Sequence, residues 1–364
     1  MANIQRLHRS DSQLSKVLQK ENHKTFSSLI HAHIKSALKS YYQYRHVIRI
    51  QEADMKVFIT GATGYVGFNV ATAFRRAGHE VWGLARSEEK ARILVQNEIH
   101  PIIGSMQKPE TYEKTAEDCS VLVHTAAELS ADGVELDRRS VETFLRASKR
   151  GARPKTVIYT SGVWVNGNTG DRLIDETTPL SPAKLVAWRP GHERTVLDAD
   201  GIRGIVIRPG CVYGRQGSLT NSWFEGAYRE HTLKVIGDGT SRWSMVHVDD
   251  LARGYVRAAE SGLGGEIFNI CDRSRSTITE MARAVARAAG YTDEIQYIPL
   301  EEAAKTMGPY AECLVLDQHV DAGKAARMLN WIPQHQSFVD GVETYFASWK
   351  AWQEQKKRIA TKAA

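Results

Sequence analysis

The chain has 364 residues, 42% of them hydrophobic, and can therefore bury one large core or two ordinary ones. Its net charge of +6 is concentrated at one end: residues 1–54 hold nine Lys or Arg and four Asp or Glu, so residues 55–364 carry only +1. A remainder so close to neutral excludes a nucleic-acid-binding footprint on the folded part.

Cysteine usage and hydropathy narrow the class further. Four cysteines are scattered along the chain without zinc-ligand spacing: Cys119, Cys211, Cys271 and Cys313. There is no apolar run of about eighteen residues and no secretory signal pattern. We therefore expect reduced cysteines, no membrane span, no metal and a cytoplasmic location.

Residues 1–54 form a distinct polar, basic segment. Five of its apolar residues recur at helical spacing: Phe26, Leu29, Ile30, Ile34 and Leu38. This spacing predicts an amphipathic helix over 25–41. Two interpretations stay open: an organellar presequence, against which Asp11 and Glu21 count, or a dispensable extension before Met55. We expect a chain that begins at Met55 to fold by itself.

From Met55 onward, short β-branched runs alternate with helical stretches. Five such runs are predicted strands: KVFIT (56–60), EVWGLA (80–85), CSVLVHT (119–125), KTVIYT (155–160) and RGIVIRP (203–209). Continuous apolar strands separated by helices indicate a parallel sheet covered on both faces. The predicted fold is α/β, a Rossmann-type doubly wound sheet over 55–230. A smaller C-terminal substrate lobe over 231–364 is interleaved with it and contains helices at 276–289 and 337–354.

A glycine-rich motif lies between the first strand and the first helix. It reads T-G-x-x-G-x-x-G, and its proposed cofactor-binding residues are Thr60, Gly61, Thr63, Gly64, Tyr65, Val66 and Gly67. Small residues let the backbone approach a pyrophosphate, and a helix N-terminus offers free N–H groups and a positive dipole end. The motif predicts a dinucleotide site.

The end of the second strand indicates which dinucleotide binds. An NAD site usually has an Asp or Glu about 20 residues after the glycines. Here the strand ends in Arg86 and Ser87, with no acid before Glu88. An arginine fork and a hydroxyl suit a 2′-phosphate. We therefore predict NADP, with NAD as the alternative.

Together these motifs resemble an extended short-chain dehydrogenase/reductase of the NAD-dependent epimerase/dehydratase type, from Met55 to about Leu329. The segments that carry the resemblance are TGATGYVG (60–67), VHTAAE (123–128), YTSGVWVNG (159–167), IRPGCVYGR (207–215), GDGTSRWSMVHVDD (237–250) and IFNI (267–270). The resemblance implies that His124, Thr125 and Ala126 follow the cofactor and that Pro209 lies near the nicotinamide. It also implies a small-molecule substrate and, as analogy only, a homodimer.

The resemblance does not extend to the family's catalytic residues. The family uses a Ser or Thr after the fifth strand and a Tyr-x-x-x-Lys helix that passes a proton as hydride moves. Matching Gly167 puts Gly162 at the hydroxyl position, one residue after Ser161.

The helix match is ambiguous as well. Aligning Glu193 with the family's glutamate puts Leu185 and Arg189 at the Tyr and Lys positions. A shift of three residues gives Trp188 and His192 instead, and neither register restores the pair.

Pro190 suggests how the helix has changed. Proline is tolerated in the first turn of a helix and disrupts its interior, so we predict a helix start near Arg189. The catalytic candidates are then Ser161, Arg189, His192 and Tyr213. His192 titrates in the right range for acid–base work, whereas Arg189 stays charged and can only polarise a carbonyl. The alternatives are that Arg189 and His192 merely begin the helix and that Tyr213 packs in the core.

The C-terminal half leaves further questions open. Arg242 lies where similar nucleotide-sugar enzymes hold a diphosphate, but Trp243 and Ser244 replace the expected acidic-aromatic pair. Four tryptophans either line an aromatic pocket for an apolar substrate or belong to the core: Trp164, Trp188, Trp223 and Trp243. His247, Asp249 and Asp250 resemble the family's structural HVDD turn, so no metal is predicted there.

Three functions remain open from the sequence. The leading hypothesis is an NADP(H)-dependent oxidoreductase that acts on a small carbonyl or alcohol with a non-standard proton donor. The alternatives are a nucleotide-sugar epimerase or dehydratase and a non-catalytic NADP-binding regulatory protein.

Overall fold

The computed structural model describes residues 54–128, 130–150, 153–217 and 219–363. The predicted 25–41 helix and the proposed role of residues 1–54 lie outside the described residues.

Seven parallel strands form the central sheet. In chain order they are β1 (Lys56–Thr60), β2 (Glu80–Ala85), β3 (His100–Ile103), β4 (Val121–His124), β5 (Thr156–Thr160), β6 (Arg203–Pro209) and β10 (Glu266–Ile270). Their spatial order is β10-β6-β5-β4-β1-β2-β3. Successive strands are therefore added on one side of β1 up to β3 and on its other side from β4 onward, so the strand order reverses between β1 and β4. This doubly wound order confirms the predicted Rossmann-type sheet and puts a ligand-binding crevice at the reversal.

Twelve α-helices are described. They are α1 (Tyr65–Arg76), α2 (Glu88–Val95), α3 (Glu113–Asp118), α4 (Gly133–Ser148), α5 (Arg189–Leu197), α6 (Asn221–Glu225), α7 (Val248–Glu260), α8 (Ile278–Ala289), α9 (Leu300–Met307), α10 (Pro309–Leu314), α11 (Gly323–Leu329) and α12 (Val342–Ala363). Short 3-10 turns cover Pro109–Thr111, Val163–Asn166 and Lys184–Val186, and a π-helical turn covers Gly226–Glu230. Over the described residues, no helix combines the length and apolar character needed to cross a bilayer.

Two hydrophobic layers bury the faces of the sheet. One packs α1 and α7 against it through residues such as Val70 and Leu251. The other packs α4 through residues such as Phe144. Strands buried on both faces are the reason these segments read as continuous apolar runs in the sequence.

The C-terminal part builds a second, smaller core. Two short parallel pairs belong to this part of the chain, β7 (Cys211–Tyr213) with β9 (Met245–His247) and β8 (Lys234–Ile236) with β11 (Gln296–Ile298). Helices α8 and α12 cover them. The last sheet strand, β10, comes from this same half of the chain. The division into a domain over 55–230 and a lobe over 231–364 stays a prediction.

Candidate active site

The phosphate loop closes tightly after β1. The N–H of Gly64 donates to the Gly61 carbonyl at 2.8 Å, and Gly61 has a φ of +75°. A Cβ atom on Gly61 would lie 2.7 Å from the main-chain nitrogen of Ala126, and one on Gly67 would lie 2.2 Å from the Gly61 oxygen. The loop is packed this closely only because these positions are glycine.

Helix α1 begins directly on this loop, with Gly64 as its N-cap and no side chain capping it. The N–H groups of the first turn, those of Tyr65, Val66 and Gly67, have no carbonyl acceptor within the helix. Free donors at a helix N-terminus, over a cradle that a Cβ would fill, suit the pyrophosphate of a dinucleotide. Thr63 lies in the turn between them.

The side chains of three other predicted cofactor residues, Thr60, His124 and Thr125, form hydrogen bonds within the protein. Thr60 Oγ1 and His124 Nδ1 share a hydrogen bond of 2.7 Å, and both side chains are buried. Thr125 donates from its hydroxyl to the Thr60 carbonyl at 2.7 Å. Thr60, His124 and Thr125 therefore brace the ends of β1 and β4 with their side chains.

Arg86 and Ser87 follow β2 at the same edge of the sheet. The Arg86 side chain is 71% exposed, and its Nη1 lies 3.3 Å from Oε2 of Glu128. Ser87 caps α2, since its hydroxyl accepts from the N–H of Lys90 at 3.3 Å. The arginine is accessible to a ligand, whereas the serine hydroxyl already has a structural partner.

A cleft of about 670 Å³ lies at the carboxyl edge of the sheet. It extends from the loop residues Tyr65 and Val66 to Ser161 and Arg189, with Pro209 also in its wall. Most of the other side chains that line it are apolar: Val134, Val163, Trp164, Leu185, Val186, Trp188, Val212 and Leu219. The cleft joins the phosphate loop to the place where sequence reasoning expected catalysis.

Ser161 lies on the cleft wall directly after β5. The residue is 5% exposed, and its Oγ atom is buried without a hydrogen-bond partner. An unpartnered buried hydroxyl costs free energy unless a ligand satisfies it. Gly162, at the family's hydroxyl position, also lines the cleft.

Helix α5 begins at Arg189 with Pro190 in its first turn, as predicted. Arg189 lines the cleft, as does Leu185, and the Arg189 Nη1 donates to the Thr160 carbonyl at 2.7 Å. The anchor residue Glu193 is buried and pairs with Arg208, with 3.0 Å between Oε1 and Nε. Both residues of the first register, Leu185 and Arg189, therefore line the cleft, whereas only Trp188 of the second register does.

His192 does not line the cleft but turns toward helix α4. Its Nδ1 lies 2.7 Å from Oδ1 of Asp137, a carboxylate that also faces the cleft. Asp137 accepts two further bonds, from Tyr159 Oη at 3.0 Å and from His124 Nε2 at 3.2 Å. The five groups from Thr60 to His192 form one chain of hydrogen bonds, in which Asp137 lines the cleft and His192 is part-buried.

This environment shifts two pKa values in opposite directions. Burial by itself would raise the pKa of Asp137, but the charge and hydrogen bond of His124 and the hydrogen bond of His192 lower it well below its usual range. Burial and the Asp137 charge raise the pKa of Tyr159, so that phenol stays protonated. Asp137 is therefore an anion at neutral pH, held by neighbouring donors.

Tyr213 lies in the core of the lobe. The residue is completely buried, its hydroxyl donates to Oδ2 of Asp272 at 3.2 Å, and its ring packs near Phe338 and Tyr345. Tyr213 does not line the cleft, and its surroundings match the alternative that it packs in the core. Its neighbours in β7, Cys211 and Val212, do line the cleft.

The four tryptophans considered for an aromatic pocket divide into two pairs. Trp164 and Trp188 line the cleft, whereas Trp223 and Trp243 stack on each other at 5.4 Å in the lobe core. Arg242 is neutralised by two carboxylates, with Asp317 at 2.7 Å and Asp171 at 2.7 Å. An arginine already paired in this way is a poor ligand for a diphosphate.

His335, which sequence reasoning did not connect with the HVDD turn, lies against it. The ligand atoms of His247, Asp249 and His335 are within 4.8 Å of one another. Both carboxylate oxygens of Asp249 accept from Arg215, at 2.6 and 2.8 Å, and His247 Nδ1 accepts from the Asp249 N–H. Because these atoms already have partners, the absence of a metal stays our prediction.

Comparisons with known proteins identify the family and relatives of this chain. A sequence model of the NAD dependent epimerase/dehydratase family matches residues 57–271. A ketoreductase from Stigmatella aurantiaca, named for 4-hydroxy-2-methyl-3-oxo-4-farnesyl-3,4-dihydroquinoline-1-oxide, is 30% identical over 261 residues, 68% of this chain and 78% of the relative. The ceramide reductase of Caulobacter vibrioides is 25% identical over 301 residues, 80% of this chain and 90% of the relative.

Solved structures share the fold. UDP-glucose 4-epimerase from Thermotoga maritima, with UDP-glucose, superposes with a TM-score of 0.70 at 21% identity, covering 82% of this chain and 100% of that chain. The resemblance inferred from the motifs is confirmed by the family match, and the Rossmann-type fold by this superposition.

Proposed function

Because the chain belongs to the NAD-dependent epimerase/dehydratase family, we propose that it is an NADP(H)-dependent oxidoreductase acting on the carbonyl or alcohol of an apolar small molecule. One observation carries the proposal. A single cleft connects the phosphate-loop residues Tyr65 and Val66 with the unpartnered Ser161 hydroxyl and the Arg189 cation, and its remaining lining is mostly apolar.

The phosphate loop and Arg86 support a phosphorylated dinucleotide. The free N–H groups of Tyr65, Val66 and Gly67 bind the pyrophosphate, and the accessible Arg86 guanidinium binds the 2′-phosphate. When bound, the nicotinamide supplies the hydride. The chain itself supplies orientation and charge.

Ser161 and Arg189 act on the substrate oxygen. The Ser161 hydroxyl donates a hydrogen bond to it, and the Arg189 guanidinium, fixed on the Thr160 carbonyl, stabilises the negative charge that develops there. Neither group is a strong acid. The proton that the product oxygen takes up therefore comes from water in the cleft, because Asp137, which lines the cleft, is held as an anion and has no proton to give. His192 is a positioning residue that fixes this carboxylate, with 2.7 Å between its Nδ1 and the Asp137 Oδ1.

The cleft lining and the relatives both favour an apolar substrate. Leu185 adds an aliphatic side chain to the cleft wall, and Trp164 and Trp188 offer two aromatic faces. The relatives named above reduce, by their names, a farnesylated quinoline and a ceramide. The pairing of Arg242 with Asp171 and Asp317 disfavours the nucleotide-sugar alternative.

Two substrate panels test the proposal, the first by NADPH consumption and the second by chromatography of the sugar products, because an epimerase or dehydratase regenerates its nicotinamide in each turnover. One panel holds apolar ketones, aldehydes and quinones of increasing chain length, and the other holds UDP- and dTDP-sugars. We expect turnover in the first panel, with kcat/KM rising with apolar area, and none in the second. Tight NADPH binding without turnover of any compound would favour the non-catalytic regulator, and turnover of the sugars alone would favour the epimerase or dehydratase.

A further inference from the structure

Two side chains of opposite charge meet beside the phosphate loop. Arg86 follows β2 and Glu128 comes four residues after the end of β4, and these strands flank β1, whose carboxyl end carries the loop. The Arg86 Nη1 and the Glu128 Oε2 are 3.3 Å apart. The acid that the sequence lacks after β2 is thus supplied from the other side of β1.

The backbone holds Glu128 in this place. Ala126 packs against the loop so closely that a Cβ on Gly61 would lie 2.7 Å from its nitrogen. Helix α4 begins against the Glu128 carbonyl, where a Cβ on Gly133 would come within 2.1 Å of the oxygen. The Glu128 side chain is 31% exposed and lines the cleft, so its carboxylate is accessible to a ligand.

The charges on this pair bear on the choice of cofactor. A 2′-phosphate on Arg86 would bring a second anion next to the Glu128 carboxylate, and like charges at contact distance repel. A cofactor without that phosphate has two ribose hydroxyls in its place, and a carboxylate accepts hydrogen bonds from such hydroxyls. Arg86 and Glu128 therefore favour different dinucleotides.

We propose that Glu128 determines the balance between NADP and NAD, by opposing the 2′-phosphate that Arg86 attracts and by accepting from the ribose hydroxyls of NAD. The inference rests on the proposed function, because it takes the phosphate loop to hold a nicotinamide dinucleotide. It makes Glu128 a specificity residue that lies outside the glycine motif and outside the second strand.

Dissociation constants for NADPH and NADH, measured by fluorescence titration, test this inference in four proteins: wild type, Glu128→Gln, Arg86→Ala and the double variant. Glu128→Gln should bind NADPH about tenfold more tightly, as expected for removing one unfavourable charge pair, and NADH more weakly. In the Arg86→Ala background, the gain for NADPH should shrink because the phosphate is no longer drawn to this place. The matched control is Glu135→Gln, which removes a surface carboxylate paired with Arg138 at 2.6 Å outside the cleft lining.

The possible outcomes distinguish the role of Glu128 from the NADP preference of the proposed function. If Glu128→Gln changes both affinities equally, or weakens NADPH binding, Glu128 does not discriminate. If wild type binds both cofactors equally while Glu128→Gln still shifts the ratio, the NADP preference is wrong and the role of Glu128 stands. If wild type binds neither cofactor, the proposed function and this inference both fail.

Discussion

Arg189 donates from Nη1 to the main-chain oxygen of Thr160 at 2.7 Å, and the residue after Thr160 is Ser161. A permanent cation and a free hydroxyl are thus held together at the carboxyl end of β5. Leu185 lines the same cleft. Under the proposed function, the cation and the hydroxyl stabilise the substrate oxyanion.

Ser161→Ala should lower kcat by roughly 10²-fold, the cost of one oxyanion donor. Because the Ser161 Oγ has no partner in the protein, the melting temperature should stay the same or rise slightly. Steady-state kinetics and thermal unfolding check both effects. Ser148→Ala is the matched control, since that buried hydroxyl donates to the Phe144 carbonyl within its own helix. A loss of stability without a loss of rate would make Ser161 a packing residue.

Arg189→Leu should lower kcat by roughly 10²- to 10³-fold, because the charge on the cleft wall is lost. Arg189→Lys should recover part of that loss, since it keeps the charge but not the planar fork. Rates at saturating NADPH, together with the NADPH dissociation constant, separate catalysis from binding. If both variants lose NADPH affinity and keep kcat, Arg189 is a cofactor ligand and its catalytic role is wrong.

Asp137→Asn should reduce the free energy of unfolding at pH 7 by about 2–4 kcal/mol, because the hydrogen bonds from His124, Tyr159 and His192 lose their anionic acceptor. The folded-state pKa of Asp137 is lowered, so its contribution is present above the unfolded pKa of about 3.9 and is lost as the pH falls below it. Urea unfolding at pH 7 and pH 3 should therefore show a difference between wild type and variant that shrinks at the lower pH. A difference independent of pH would mean that Asp137 stabilises by shape and hydrogen bonding alone.

Asp272→Asn tests a second buried carboxyl, whose pKa burial raises to about 6. The native state keeps a proton that the unfolded chain loses above about pH 3.9, so wild-type stability should fall as pH rises from about 4 to about 6. The variant should gain about 2 kcal/mol relative to wild type over that range. Unfolding measured at several pH values checks this, with Asp118→Asn on the exposed end of α3 as the control. A flat difference would contradict the raised pKa.

The fold and the phosphate loop were predictable because their signals are local. The motif from Thr60 to Gly67 lies between a predicted strand and a predicted helix, and such a sequence has few other uses. Pro190 likewise fixed the start of α5 at Arg189, because proline is tolerated only in the first turn.

The hydrogen-bond chain from Thr60 to His192 was not predictable from spacing, because its five members come from five separate helices and strands. A partial signal existed: Asp137 lies one turn before Val141 and two before Phe144, on the buried face of α4. An acid on that face needs partners, although the sequence does not say which. Glu128 gave no such signal, since its contact with Arg86 depends on the strand order.

Hydride transfer from the cofactor to a substrate carbonyl is the central claim, and transfer of deuterium measures it most directly. NADPH deuterated at C4 of the nicotinamide is incubated with the protein and the most active apolar ketone. Mass spectrometry then measures the deuterium content of the product. We predict one deuterium at the new carbinol carbon, from one face of the nicotinamide only, and a strongly reduced yield with Ser161→Ala. A protein that binds NADPH yet puts no deuterium into any product of the panel would contradict the account.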